Sequence, residues 1–162
     1  MLQMQNEADQ LRAARPLKFR GEWDIYVHRG DELVAERHGF NVITTNGLEK
    51  LAQYLASSTT GTPSNPFLSI AIGTGTTAEL SSQTALITES ARISGVASYV
   101  SNSIYQVTST FPSGTGTGAI TEYGLFNSSA ASTGTMLSRD LEDVVNKGAN
   151  DTLTATVKIT LS

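Results

Sequence analysis

From Thr152 to Leu161 polar and apolar residues exchange places without a break: Leu153, Ala155, Val157, Ile159 and Leu161 against Thr152, Thr154, Thr156, Lys158 and Thr160. A period of two puts the two sets on opposite faces of an extended chain, so the run reads as a strand with one face on a core and the other in water. The same period governs Phe19 to His28, where Phe19, Gly21, Trp23, Ile25 and Val27 oppose Arg20, Glu22, Asp24, Tyr26 and His28. Arg29-Gly-Asp-Glu32 supplies a turn, and Leu33 to Thr44 returns as a second strand, with Gly39 as its expected bulge or kink.

Between them the period changes once. Leu48, Leu51, Ala52 and Leu55 fall at helical spacing, and Asn46 followed by Glu49 has the form of a cap. The expectation is one short amphipathic helix over 47–56. After Phe67 the chain reads as strands divided by Gly, Ser and Thr turns: Leu68 to Ile72, Ala91 to Val100 paired with Ser103 to Phe111, Ile120 to Asn127, then Thr135 to Ser138, a bend at Arg139 to Asp143, and Val144-Val145. Many short strands predict a mainly β fold, an antiparallel, jelly-roll-like β-sandwich. Its expected organisation is an extended or helical arm over 1–18 and one β-rich domain over 19–162, made of a hairpin (19–45), the helix (46–56) and sandwich strands (67–162).

Only 16% of the residues are charged, with Ser, Thr and Gly in their place, which favours sheets whose solvent face is hydroxylic rather than ionic. A net charge of -4 argues against a nucleic-acid partner, since phosphate binding calls for a basic patch. The mild run Arg12, Arg15, Lys18, Arg20 is read as a solvated arm or an inter-subunit tether. Leu2, Met4, Ala8 and Leu11 give that arm a thin apolar stripe, ended by Pro16. With no cysteine there is no disulfide and no thiolate chemistry. Met1 to Ala14 lacks the apolar centre of a secretion signal, and no segment approaches the length of a membrane span, so membrane insertion is not expected.

Chemistry-bearing patterns are few. Gly73-Thr-Gly75 and Gly114-Thr-Gly116-Thr-Gly118 lack the lysine and the following helix of a phosphate loop and read as tight turns. Asp24 and His28 share a strand face but stand roughly 13 Å apart, too far to pair directly. Asp140, Glu142 and Asp143 do not have calcium-loop spacing and read as a solvated turn. No catalytic residue, cofactor or metal is assigned. Glu122 is the oddity: one of four charges between Leu51 and Ser138, inside the apolar strand Ile120-Thr-Glu-Tyr-Gly-Leu-Phe126. Unpaired burial would be costly, so it is expected to bind backbone amides or Arg92 or Arg139, across a strand or subunit boundary.

The ordered series Asn41 to Leu48, Leu68 to Thr77, Thr84-Ala-Leu86, Ile120 to Asn127, Met136 to Arg139 and Val145 to Gly148, ending in the alternating strand, resembles a β-rich module of tailed-bacteriophage tail-fibre and other virion structural proteins. The resemblance covers residues 40–162. It implies a non-enzymatic virion part, commonly trimeric and without cofactor, whose partners are copies of itself and other capsid or tail proteins. Its expected location is the virion, assembled in the host bacterial cytoplasm. The chain is short beside tail fibres, which leaves a small tail or baseplate piece and a capsid decoration protein as the two placements. Leu2, Met4, Leu11, Arg15, Glu122 and Tyr123 are the interaction candidates. The alternative is a carbohydrate-binding module that engages a host surface glycan through Tyr99, Tyr105 and Tyr123.

Overall fold

The computed structural model describes residues 17–56, 65–100 and 103–162. Its elements are β1 (Phe19–Arg29), β2 (Glu32–Ile43), α1 (Thr45–Ala56), β3 (Ser69–Gly73), β4 (Glu89–Ser94), β5 (Val96–Tyr99), β6 (Ile104–Phe111), β7 (Gly118–Phe126), β8 (Met136–Lys147) and β9 (Asp151–Leu161). The strands form one sheet in the order β4-β3-β7-β8-β2-β1-β9-β6-β5, every neighbouring pair antiparallel. A mainly β, antiparallel fold with one short helix is therefore what these residues adopt.

The sheet bends into two faces at β2, which pairs with β1 from Gly21↔Asn41 to Arg29↔Glu32 but with β8 only through Val42 and Ile43. It nearly closes at the other side through Gly95. Residues 89–94 pair with β3 and residues 96–99 with β6, so one run of chain changes partner at this glycine. Gly95 donates its amide to the Leu68 carbonyl at 2.7 Å. A Cβ there would lie 2.5 Å from Ser109 Oγ and 2.6 Å from the Thr108 carbonyl oxygen, which is why no side chain is carried across this crossing.

The enclosed face is the core. Trp23, Ile25 and Val27 of β1 and Leu153, Ala155, Val157 and Ile159 of β9 are buried at alternate positions, as their period requires. Val107 and Phe111 of β6 continue this face beside β9, and Ile120, Tyr123 and Leu125 of β7 pack into the same core, with the rings of Trp23 and Tyr123 tilted at 5.9 Å between centroids. Outside, Thr108–Thr156 and Thr110–Thr154 hydroxyl pairs at 2.9 and 3.1 Å make the hydroxylic surface that the composition predicts.

Four local expectations are corrected. The irregularity in the first hairpin lies at Val27/His28, and Gly39 instead sits in register opposite Trp23. The hairpin expected from 91–100 and 103–111 exists only from Val96, because of the switch at Gly95. Residues 139–143 are no bend: β8 runs unbroken from Met136 to Lys147, and its Arg139 and Asp140 are buried, so a charge run that resembles a loop is a strand with its charges turned inward. The helix starts at Thr45, and its cap is Thr44, whose Oγ1 accepts the Gly47 amide at 3.0 Å and donates to the Met136 carbonyl. Asn46 is already inside the first turn.

The helix face is rotated as well. Gly47 is buried against Leu137, and Leu51 and Tyr54 pack on the core, while Leu48, Ala52 and Leu55 of the expected stripe are exposed. A residue without a side chain lets the helix backbone itself sit on β8, and this sets the contact face at 47, 51 and 54. Of the expected 1–18 arm, residues 1–16 lie outside the described residues. Lys18 is already tied to the sheet, exchanging amide hydrogen bonds with Ser162 at 2.7 and 3.0 Å.

Candidate functional site

Glu122 lies on β7 just after a register shift between Ile120 and Glu122. The shift changes the phase of the strand: Ile120, Tyr123 and Leu125 all reach the core, and Glu122 turns to the other face, under the connection from Thr74 to Thr88. Its carboxylate gathers both ends of that connection. Oε1 accepts the amides of Gly75 (3.0 Å) and Thr88 (2.7 Å), and Oε2 accepts the amide of Ile87 (2.9 Å). Arg139 of β8 adds Nη2 at 2.9 Å and Nε at 3.2 Å to Oε2, and both side chains are fully buried. The tie anticipated for Glu122 is thus made within one chain, to amides and to Arg139. Arg92 is engaged elsewhere: it pairs with Glu89, stacks 3.6 Å from the Phe126 ring centre and donates to the carbonyls of Ser128, Ala130 and Thr133.

Burial pushes the Glu122 carboxyl upward, but the amides of Thr88, Ile87 and Gly75 and the Arg139 guanidinium outweigh it and hold the group below the usual carboxylate range. An anion already receiving five donors has no proton to give and no lone pair left for a substrate. This side chain is a clamp, not a general acid. A small second core of Ala71, Leu86, Phe126 and Met136 completes the packing under the clamped connection.

A second carboxylate group sits one step along β8. Asp140 is opposite Tyr123 in register and almost wholly buried, with Glu79 close by, whose Oε1 accepts the Leu141 amide at 2.8 Å. Burial, with Glu142 and Glu79 nearby, pushes Asp140 up to about 8, so at neutral pH it holds a proton. The bare face of Gly39 accommodates this group: a Cβ there would fall 1.6 Å from Glu142 Oε1 and 3.2 Å from Asp140 Oδ2. The sequence pattern places Asp140 in a solvated turn, which its burial on β8 corrects, and gives Glu79 no role. The available signal was Glu79 itself, another of the four charges in a long uncharged stretch. Among the described residues no set of three or more His, Cys, Asp or Glu is disposed to hold a metal ion.

His38 Nδ1 lies 2.7 Å from Asp24 Oδ1, and Lys158 Nζ donates to Asp24 Oδ2 at 2.7 Å. These are cross-strand partners on the outer face, with the histidine half exposed, and they form a charge ladder over the first hairpin rather than a site in a cleft.

An apolar concavity of about 330 Å³ lies at the mouth of the barrel, where β1 begins, β9 ends and α1 crosses. Phe19, Leu51, Phe67, Tyr105, Leu137 and Leu161 are among its lining. Tyr105 donates its hydroxyl to the Phe67 carbonyl at 2.5 Å, and Tyr54 donates to the Asn65 carbonyl, so the lining hydroxyls are already engaged. Such a surface fits hydrocarbon, not a polar substrate.

Of the residues expected to meet partners, Leu2, Met4, Leu11 and Arg15 lie outside the described residues. Glu122 and Tyr123 are fully buried, so the contacts they make are internal: the register shift sends one under the clamped connection and the other into the core. Of the three tyrosines considered for glycan stacking, Tyr123 is buried and Tyr105 half-buried, and only Tyr99 is open to solvent. No helix among the described residues is long and apolar enough to cross a membrane. Comparison with protein-family models, with curated proteins and with solved structures found no match.

Proposed function

We propose that the chain is a non-enzymatic structural part of a tailed-bacteriophage particle, assembling through protein interfaces with copies of itself and with other virion proteins, as a tail or baseplate component or as a capsid decoration. The observation that carries this reading is β5. It ends the strand order, every one of its residues is exposed, and it presents Val96 and Tyr99, each about three-quarters open to solvent, with Val100 following. An unprotected apolar sheet edge is a template for pairing with another chain, and isolated domains normally blunt it with charge or proline. Here the charges are spent inside, in Glu122–Arg139 and Glu89–Arg92, and none lies on β5. The ordered motif series over 40–162 supports the virion assignment.

The experiment is a reconstruction of the intact particle. Density for this chain at icosahedral positions assigns it to the capsid shell, and a ring on the tail axis assigns it to the tail. A chain that scatters light as a monomer at micromolar concentration and binds no other virion protein overturns the proposal.

A further inference from the structure

We propose that the gap between β2 and β8 is an alkaline latch: the Glu79 carboxyl, carried on the connection from β3 to β4, closes it, and loss of the Asp140 proton unseats Glu79 and opens the barrel wall to water while the fold stands. β2 and β8 keep backbone register at Val42↔Arg139 and Ile43↔Ser138 and then part. Farther along, Arg37 of β2 reaches across with its guanidinium, donating to the carbonyls of Asp143 at 3.2 Å and Val144 at 3.0 Å. Between these two joins the wall is made by side chains. The Leu141 amide donates to Glu79 Oε1 at 2.8 Å, and the Glu142 carboxyl lies over the bare face of Gly39, with Asp140 Oδ2 beside it. A seam of this kind is where a sheet opens locally, since it lacks the ladder of backbone pairs that would tie its opening to unfolding of the whole.

Glu79 is able to leave because of how its connection is held. Residues 74–88 contain neither helix nor strand, and a connection of that length usually serves as a lid or a binding loop. Both ends are fixed, by the amides of Gly75, Ile87 and Thr88 on Glu122 and by Leu86 in the small second core. The middle, from Thr76 to Ala85, is mostly exposed. Besides Glu79 it is tied down by the Ser81 carbonyl, which accepts the Thr45 amide at 2.8 Å, and by Gln83 Oε1, which accepts Arg139 Nη1 at 3.2 Å. Those two ties lie beyond Glu79 and stay made when it withdraws.

The charges around the gap supply the trigger. Glu79, Asp140 and Glu142 all meet there, and burial raises each of them. Arg37 opposes the rise at Glu142 and Arg139 opposes it at Glu79, but Arg139 already serves Glu122, and Asp143 raises Glu142 further. From β7, Tyr123 stands opposite Asp140, and burial, with Asp140 and Glu142 near, pushes its hydroxyl far above the ordinary value, so it brings no charge of its own. Below about 8 the Asp140 proton keeps the group together. Above it a buried negative charge appears beside two other carboxylates, where water screens little and like charges repel strongly. Asp140 and Glu142 are fixed in β8, whereas Glu79 sits on the loosely held middle of its connection, so Glu79 is the one that yields.

The chain holds one tryptophan, and it stands behind this gap. Trp23 is fully buried, opposite Gly39 in register, with its ring 5.9 Å from that of Tyr123. In the full chain, acrylamide quenching of its fluorescence is expected to rise several-fold, and its emission to move to the red, between about pH 6 and about pH 9, with far-ultraviolet circular dichroism unchanged. The midpoint should fall near the value of about 8 at which Asp140 loses its proton. Glu79→Gln keeps an oxygen for the Leu141 amide without the charge, and Asp140→Asn keeps the shape of the buried side chain without a proton to lose; each should abolish the rise. Glu79 is partly exposed, so its variant gives the answer even where Asp140→Asn does not fold. Quenching that does not change with pH, a rise that persists in Glu79→Gln, or a rise that comes only with loss of the circular dichroism signal overturns the proposal.

Discussion

Arg139 donates two hydrogen bonds, from Nη2 at 2.9 Å and Nε at 3.2 Å, to one oxygen of Glu122, and neither side chain touches solvent. A buried pair of this kind gains little over an apolar pair of the same shape, yet breaking it strands a charge. Glu122→Gln is therefore expected to lower unfolding stability by about 3–5 kcal/mol. Pairing it with Arg139→Met should restore part of that loss, since the two sites are coupled. Urea midpoints for the two single variants and the double variant measure this. A loss of less than about 0.5 kcal/mol in Glu122→Gln, the ordinary range for an unengaged surface position, would show that the clamp does not hold the connection.

How far these features can be read without coordinates varies along the chain, for physical reasons. The alternation of β1 and β9 is plain because each has one face on the core and the other on water, and a period of two records that contrast directly. β8 is obscured because its first residues, Met136 to Asp140, are buried on both faces, so the contrast vanishes and buried Arg139 and Asp140 mimic a turn. The Glu122 tie was legible as a problem, a lone carboxylate in an apolar strand. Its solution was legible only as alternatives, because choosing Arg139 over Arg92 depends on strand order. The partner switch at Gly95 depends on contacts far apart in sequence, and no local pattern encodes them.

Two carboxyl groups displaced in opposite directions give the protein a defined pH response. Asp140 holds its proton up to about 8 when folded, against 3.8 as its ordinary value, so the native state binds more protons than the unfolded chain between those limits. Its contribution is fully present below the lower limit and is lost as pH rises through the upper one. Glu122, held below its ordinary value, acts the other way: its contribution is present above that value and is lost as pH falls through the folded one. Stability should thus decline on both sides of a maximum in the weakly acid range. Asp140→Asn should flatten the alkaline limb, to which Glu79 and Glu142, also raised by burial, add a smaller part, and the difference from the unsubstituted chain between about pH 5 and about pH 9 should reach a few kcal/mol. Thermal melts across this range check it, and parallel curves for the two proteins would rule out Asp140 as the source.

The exposed edge predicts a variant that separates folding from assembly. Val96 on β5 is three-quarters exposed and pairs with Thr108 of β6. Replacing it with lysine adds a charge to a sheet edge, the device that blunts edges in isolated domains. Val96→Lys should change unfolding stability by no more than about 0.5 kcal/mol while reducing self-association at least tenfold, which is about 1.4 kcal/mol. Sedimentation over a concentration series reads the second quantity. Unaltered association would move the interface away from β5.

Gly47 provides a case in which two general rules oppose each other and the geometry selects one. In a helix interior, alanine is ordinarily better than glycine by about 1 kcal/mol. At this position a Cβ would stand 2.5 Å from Leu137 Cα and 2.9 Å from the Leu137 carbonyl oxygen. The backbone of β8 cannot turn aside as a flexible side chain does, so the helix must lift. Lifting it also draws Thr44 away from the Gly47 amide and the Met136 carbonyl that it bridges. Gly47→Ala should accordingly destabilise the fold by roughly 1–3 kcal/mol, the range for overpacking a tight contact. Gln53→Ala, on the exposed side of the same helix, should stay within about 0.5 kcal/mol of the unsubstituted chain. Chemical denaturation of the two variants side by side decides between the rules, and a stabilised Gly47→Ala would mean that the helix does not rest on β8 through its backbone.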